Sequence, residues 1–234
     1  PIVTAENCFD TVRELGIKKW PVIREEPLEK WLTHATPEEL VAFAKYGPKS
    51  FFLELSNPRS GETGSFFRTL FNPAAVVFAL IENRYVAITA EWKHGNDRIT
   101  LVPVAGVPGK EEALYPLLFD KMEATAFREW NEETGLTISS AALLAPENGV
   151  YSYVRPTEIQ FFPFLGCVKH PVKKGPTKYD KNEHIVMLLF PLGEWLTLIE
   201  NFTQWDRNPD FGLEMCARDV TYAALRKLDM LHLG

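Results

Sequence analysis

The chain has 234 residues, 46% of them hydrophobic, enough apolar side chain for one large domain or for one domain with a smaller companion. A formal net charge of −6 and a pI near 5.5 lack the basic footprint of a protein that binds nucleic acid broadly, although a small nucleotide needs only a few local cations. Cys8, Cys167 and Cys216 form no CxxC or Cys/His zinc spacing and are expected as buried free thiols in a reducing cytoplasm. No apolar run approaches the ~18 residues of a membrane span. Residues 1–7 lack the basic-then-apolar pattern of a signal peptide.

Residues 1–48 read mostly as helix. Thr4 is placed to cap a helix reaching Leu15, Pro27 to open a short one through Trp31 to His34, and Thr36-Pro37-Glu38-Glu39 to start a third that Gly47-Pro48 ends. Lys49 to Leu55 reads as a strand. Residues 56–65, rich in Gly, Ser, Asn and Pro, mark the strongest boundary. The expected division is a mostly helical N-terminal extension, 1–65, carrying no motif of chemistry, and a larger domain, 66–234. A β meander follows: Ala74 to Ile81, Tyr85 to Trp92 and Ile99 to Val104, with turns at Asn83-Arg84 and Gly95-Asn96-Asp97. Next comes a helix from about Lys121 to Thr134, with Asp120 and Glu123 at capping-box spacing and Gly135 as its stop. Residues 137–144, 150–154 and 156–165 look extended. A long polar loop, 168–181, holds Lys169, His170, Lys173 and Lys174. The polar turn ending in Glu183 leads into a strand to Phe190, and helices close the chain from about Gly193 to Asn201 and from about Leu213 to Leu231.

The 121–134 helix carries Glu129, Glu132 and Glu133 at i, i+3 and i+4, a spacing that puts them on one face. Phe119, Met122, Ala126 and Trp130 form an adjoining apolar stripe that would hold the helix on a core. Three crowded carboxylates repel one another unless a cation sits among them, and hard oxygen ligands suit Mg²⁺ or Mn²⁺. On pattern alone, a solvated acidic face explains the same residues.

Arg128-Glu129-Trp130-Asn131-Glu132-Glu133-Thr134-Gly135-Leu136 resembles the second half of the Nudix box of nucleoside-diphosphate-X hydrolases, matching each of its fixed positions. The first half departs from the pattern. Asp120 stands where the family has Glu, Leu114 stands where it has Gly, and the nearest glycines are Gly109 and Gly106, so residues 111–119 read as an insertion. Three further segments resemble the ADP-ribose pyrophosphatase branch. Ala105-Gly106 is similar to its Pro-Ala-Gly turn, Pro156-Thr157-Glu158 to its Ser-Pro-Gly-x-x-x-Glu segment without the Ser and Gly, and Glu183 to the acid before its last strand.

The resemblance, covering about 74–231, implies an α+β fold: the Nudix α/β/α sandwich with a mixed sheet. It implies metal-dependent hydrolysis of a pyrophosphate, first of ADP-ribose to AMP and ribose 5-phosphate, second of another nucleoside diphosphate sugar. A nucleotide-binding domain that kept the fold and lost turnover is the alternative from a different class. Glu129, Glu132 and Glu133 would bind Mg²⁺ or Mn²⁺, with Asp120 and the Ala105 or Gly106 carbonyl as weaker ligands. Glu183 would be the general base, with Glu158 and then Glu112 behind it. Arg128 would orient the carboxylates. Trp92 and Lys93 occupy the place of an aromatic-basic pair near the substrate, although Trp92 also reads as an ordinary sheet aromatic. Gly106 and Gly109 would lie in the substrate-binding loop. Related hydrolases often dimerise through N-terminal elements, so a cytoplasmic homodimer joined through the extension is expected.

Overall fold

The computed structural model describes residues 1–23, 25–56, 58–93, 97–147, 149–154, 157–169 and 184–230. In chain order the elements begin with α1 (Cys8–Glu14), α2 (Leu28–Trp31), α3 (Pro37–Tyr46), β1 (Lys49–Ser56) and β2 (Thr63–Leu70). Then come β3 (Ala74–Ile81), β4 (Tyr85–Lys93), β5 (Arg98–Val102), β6 (Val104–Gly106), a 3₁₀ turn (Glu112–Leu114) and α4 (Leu118–Thr134). The remainder is β7 (Ser140–Leu143), β8 (Val150–Val154), β9 (Thr157–Val168), β10 (Ile185–Pro191), α5 (Leu192–Glu200), α6 (Phe202–Asp206), β11 (Phe211–Leu213) and α7 (Met215–Lys227). They form two compact units: Pro1–Trp20 with Ala75–Gly149 and Phe162–Gly234, and Pro21–Ala74 with Val150–Phe161.

The first unit is built on a mixed sheet. β4 pairs antiparallel with β3, β5 and β10, and β11 lies parallel to β5 with Phe211 opposite Ile99. The run Ala75 to Ile81 is buried along its whole length, as expected of a strand covered on both faces. The expected strand 99–104 is two strands. Pro103 has no N–H to give a ladder, so the chain breaks there, and β5 pairs with β4 while β6 pairs with β3. α4 lays Met122, Ala126 and Trp130 on Val77, Ala79, Phe162 and Phe164, the stripe read from the sequence.

α4 starts at Leu118, with Leu117 as an extended N-cap residue and no side-chain cap. Asp120 is therefore not the cap that its spacing to Glu123 predicted. It lies in the first turn, where its charge complements the helix dipole. Gly135 ends the helix in the left-handed conformation, φ 67°. Two short elements, α6 and β11, lie between α5 and the last helix, which begins at Met215 rather than Leu213.

The second unit holds α2, α3, β1, β2, β8 and the start of β9. Thr36 caps α3 as expected, and with Glu39 it forms a capping box, with N–H donations at 3.2 Å to the Thr36 hydroxyl and 2.8 Å to the Glu39 carboxylate. The 56–65 boundary falls within a hairpin, in which Lys49 to Ser56 pairs with Leu70 back to Thr63 and Gly61 between them takes a positive φ of 74°. The units also divide the N-terminus elsewhere than at residue 65. α1 belongs to the first unit, where Phe9 meets Trp205 edge-on at 5.1 Å and Phe211 at 4.6 Å.

All three cysteines are free, and burial pushes the Cys8 thiol up to about 12. No helix among the described residues is long and apolar enough to cross a membrane.

Candidate functional site

The last two turns of α4 carry the site. Arg128 is its hub. Its Nε donates to Glu112 Oε1 at 2.7 Å, Nη1 to Glu132 Oε2 at 2.8 Å, and Nη2 to Glu129 Oε1 at 2.8 Å and the Val107 carbonyl at 2.9 Å. The planar guanidinium fork makes four directed bonds that a lysine ammonium would not reproduce. Burial works to lower the Arg128 pKa, but Glu129, Glu132 and Glu112 outweigh it and hold the group firmly protonated.

β6 reaches the same place from the sheet. A Cβ built on Gly106 would overlap the carboxyl group of Glu129, so the absence of a side chain at 106 is what lets that carboxylate lie on the strand backbone. Gly106→Ala should force one of them to move. The expected cost is about 1–3 kcal/mol, that of overpacking, read as a lowered denaturant midpoint at unchanged m. A wild-type midpoint would show that the contact is slack.

Lys93, at the end of β4, pairs with Glu91. Its burial favours the neutral form, but Glu91, then Glu214 and Glu133, outweigh it and raise its pKa. Lys93 is thus a half-buried cation within the field of Glu133, which is itself 8% exposed. Trp92 is one residue away and, by strand alternation, on the other face. Its ring stacks on Trp20 at 5.9 Å, and its Nε1 donates to Asp97 at 3.4 Å.

The structure brings together Glu129, Glu132, Arg128 and Gly106, with Gly109 one bond further out, and puts Lys93 electrostatically in reach of Glu133. Ala105 precedes Gly106 on β6 and pairs with Val76. Asp120 lies two turns up α4, and Arg128 does not bond to it. Glu183 lies outside the described residues, as does the side chain of Glu158. Glu112 bonds Arg128 from 16 positions upstream, which the sequence reading did not anticipate. The available signal was the spacing Gly106, five residues, Glu112, that of the first half of the Nudix pattern, with the extra residues falling between Glu112 and Arg128.

Among the described residues no group of three or more His, Cys, Asp or Glu side chains is assembled to hold a metal ion. Arg128 spans Glu129 and Glu132 instead. The donor chemistry nonetheless fits Mg²⁺ or Mn²⁺: three carboxylates on one helix face, one of them laid against the β6 backbone by the missing Cβ of Gly106.

No family model matches the chain, and no curated protein matches it. Among solved structures, the crystal structure of an ADP compounds hydrolase aligns with a TM-score of 0.56 at 14% identity, covering 92% of this chain and 97% of that one. At this identity the likeness shows the fold: the chain has a mixed α/β, Nudix-like architecture with a mixed β-sheet.

Proposed function

We propose that this chain is a metal-dependent pyrophosphohydrolase that cleaves a nucleoside diphosphate linked to a second moiety, with ADP-ribose as first substrate and AMP and ribose 5-phosphate as products. The observation that carries the reading is the arrangement of Glu129 and Glu132 on the Arg128 fork, with Glu129 packed on Gly106. The ADP compounds hydrolase of like fold supports the substrate class.

Glu129, Glu132 and Glu133, with the Ala105 carbonyl and Asp120 as outer candidates, would hold Mg²⁺ or Mn²⁺. The ion would offset phosphate charge and acidify the attacking water. Arg128 keeps two of the carboxylates in fixed rotamers, so little reorganisation is left for the reaction. Lys93 contributes a cation on the Glu133 side of the site, where a diphosphate would lie. Glu183 accepts the proton of the water.

The test is incubation with a panel of nucleoside diphosphate compounds and Mg²⁺ or Mn²⁺, with products identified by mass. Appearance of a nucleoside monophosphate supports the enzyme. A second reading, a binding domain without turnover, is favoured by the lengthened stretch before α4, which sets Asp120 and Leu114 at positions where the Nudix pattern has Glu and Gly. Binding of ADP-ribose with no AMP formed under any divalent metal would establish it.

The assembly proposed is a homodimer whose interface includes residues from 1–65. Ile23, Val41 and Phe52 there are exposed apolar side chains that such an interface would cover. Light scattering at micromolar concentration should give twice the chain mass of 26.6 kDa. A particle of one chain mass refutes the dimer.

A further inference from the structure

Lys93 sits in the field of three acids, and the register of the sheet shows how two of them reach it. β4 and β5 pair with Glu91 opposite Thr100 and Lys93 opposite Arg98, and β5 and β11 pair with Thr100 opposite Gly212. Residues directly opposite one another share a face, and so do alternate residues of one strand. Ala87 belongs to the core cluster under α4, so Glu91 and Lys93 follow it on the α4 side of the sheet, with Thr100 and Gly212. Gly212 leaves that side of β11 without a side chain. The next residue on the same alternation is Glu214.

Glu214 stands just past the end of β11, yet its backbone stays extended, at φ −71° and ψ 136°. Its N–H donates to the Leu101 carbonyl at 3.4 Å, which ties it to β5. It is also the N-cap residue of α7. A side chain there ordinarily accepts from the helix amides, but Glu214 makes no such cap. Its carboxylate is turned toward the sheet instead. Burial works against the charge of Lys93, but Glu91, which pairs with it, and then Glu214 and Glu133 outweigh the burial. Cys216, in the first turn of α7, has its thiol pushed up by burial and then by Glu214, and it too lies in the field of Lys93.

We propose that Glu214 is a positioning residue: with Glu91 it anchors the Lys93 ammonium on the sheet side of the site, so that Lys93 meets a bound diphosphate rather than closing onto Glu133. This rests on the function proposed above, in which Lys93 faces the diphosphate. The sign of one substitution separates the role from that of a bystander charge. A negative group acting only through space repels an anion, so neutralising it strengthens anion binding. Neutralising an acid that holds Lys93 weakens it. Glu214→Asp keeps the charge and offers α7 a better cap, but its arm is one methylene shorter.

The experiment compares wild type, Glu214→Gln, Glu214→Asp, Lys93→Met and Glu214→Gln/Lys93→Met. Calorimetry reads the binding of ADP with Mg²⁺, and steady-state kinetics reads the cleavage of ADP-ribose. Glu214→Gln and Glu214→Asp should each weaken ADP binding and raise KM by roughly 5- to 10-fold, while kcat changes less, because Lys93 holds the diphosphate before and during the reaction. The Asp variant should melt no lower than wild type, which separates a lost grip from a damaged helix. In the Lys93→Met background the change to Gln should cost nothing further. Binding by Glu214→Gln equal to or tighter than that of wild type, wild-type binding by Glu214→Asp, or losses that add in the double variant would overturn the proposal. Should Glu214→Gln fail to fold, Glu214→Asp takes its place, alone and with Lys93→Met. If wild type binds ADP but cleaves nothing, the function proposed above fails, and the ADP measurements alone decide the role of Glu214. If wild type does not bind ADP, both fall.

Discussion

Glu132→Gln and Glu133→Gln should each lower turnover by about 10² or more while leaving the fold intact, because each removes a charge that the proposed metal-assisted reaction would use. The fold should survive for residue-specific reasons. A glutamine at 132 keeps a carbonyl oxygen for Arg128 Nη1, and Glu133 has Lys93 in its field rather than a role in the apolar core. Thermal melts separate the electrostatic effect from a folding defect. Mg²⁺ or Mn²⁺ should raise the melting temperature of wild type by binding the native state preferentially, and should raise that of Glu129→Gln/Glu133→Gln much less. Equal shifts would move the metal site elsewhere. Normal turnover of both single variants at saturating Mg²⁺ would remove these carboxylates from the mechanism.

Glu183→Gln should lower kcat by about 10²–10⁴ with little change in substrate affinity, since a base acting on water contributes mainly in the transition state. The chain enters β10 at Ile185, opposite Glu91 on β4, the end of that strand at which Lys93 senses Glu133. Glu183 itself lies outside the described residues, two positions before Ile185 in the sequence. Steady-state kinetics with a separate binding measurement reads the split between kcat and affinity. A Glu183→Gln enzyme as active as wild type would shift the base to Glu158.

What the sequence made legible follows from how local the signal was. Ala74 to Ile81 announces itself as a short apolar run and the stripe on α4 by its period, while Thr36 and Gly135 mark helix ends by residue type. Elements defined by distant partners did not. β2, whose first residues fall in the 56–65 boundary, was missed because its hairpin depends on pairing with β1, which has little buried surface to make a pattern. β11 is three residues long and exists through its parallel register with β5. In the site, the helical spacing of the three glutamates was visible, whereas the packing of Glu129 on Gly106 arises between segments and leaves no spacing to read. The Glu112–Arg128 pair did leave one, Gly106 six positions before Glu112, and it was missed because the stretch from Glu112 to Arg128 is lengthened.

The way the first unit is threaded bears on how it forms. Val3 donates to the Leu189 carbonyl at 2.9 Å and Ala5 to Glu194 Oε2 at 2.8 Å, while β5 takes Phe211 to Leu213 as its neighbour. Val3 and Ala5 therefore lack these partners until a segment nearly two hundred positions later exists to receive them. Loop closure over such a separation is slow because its entropy is lost before any contact compensates. During synthesis the helix bearing the glutamates can form early, but β5 gains its neighbour Phe211 to Leu213, and Val3 and Ala5 gain theirs, only after residues 189–213 have been made.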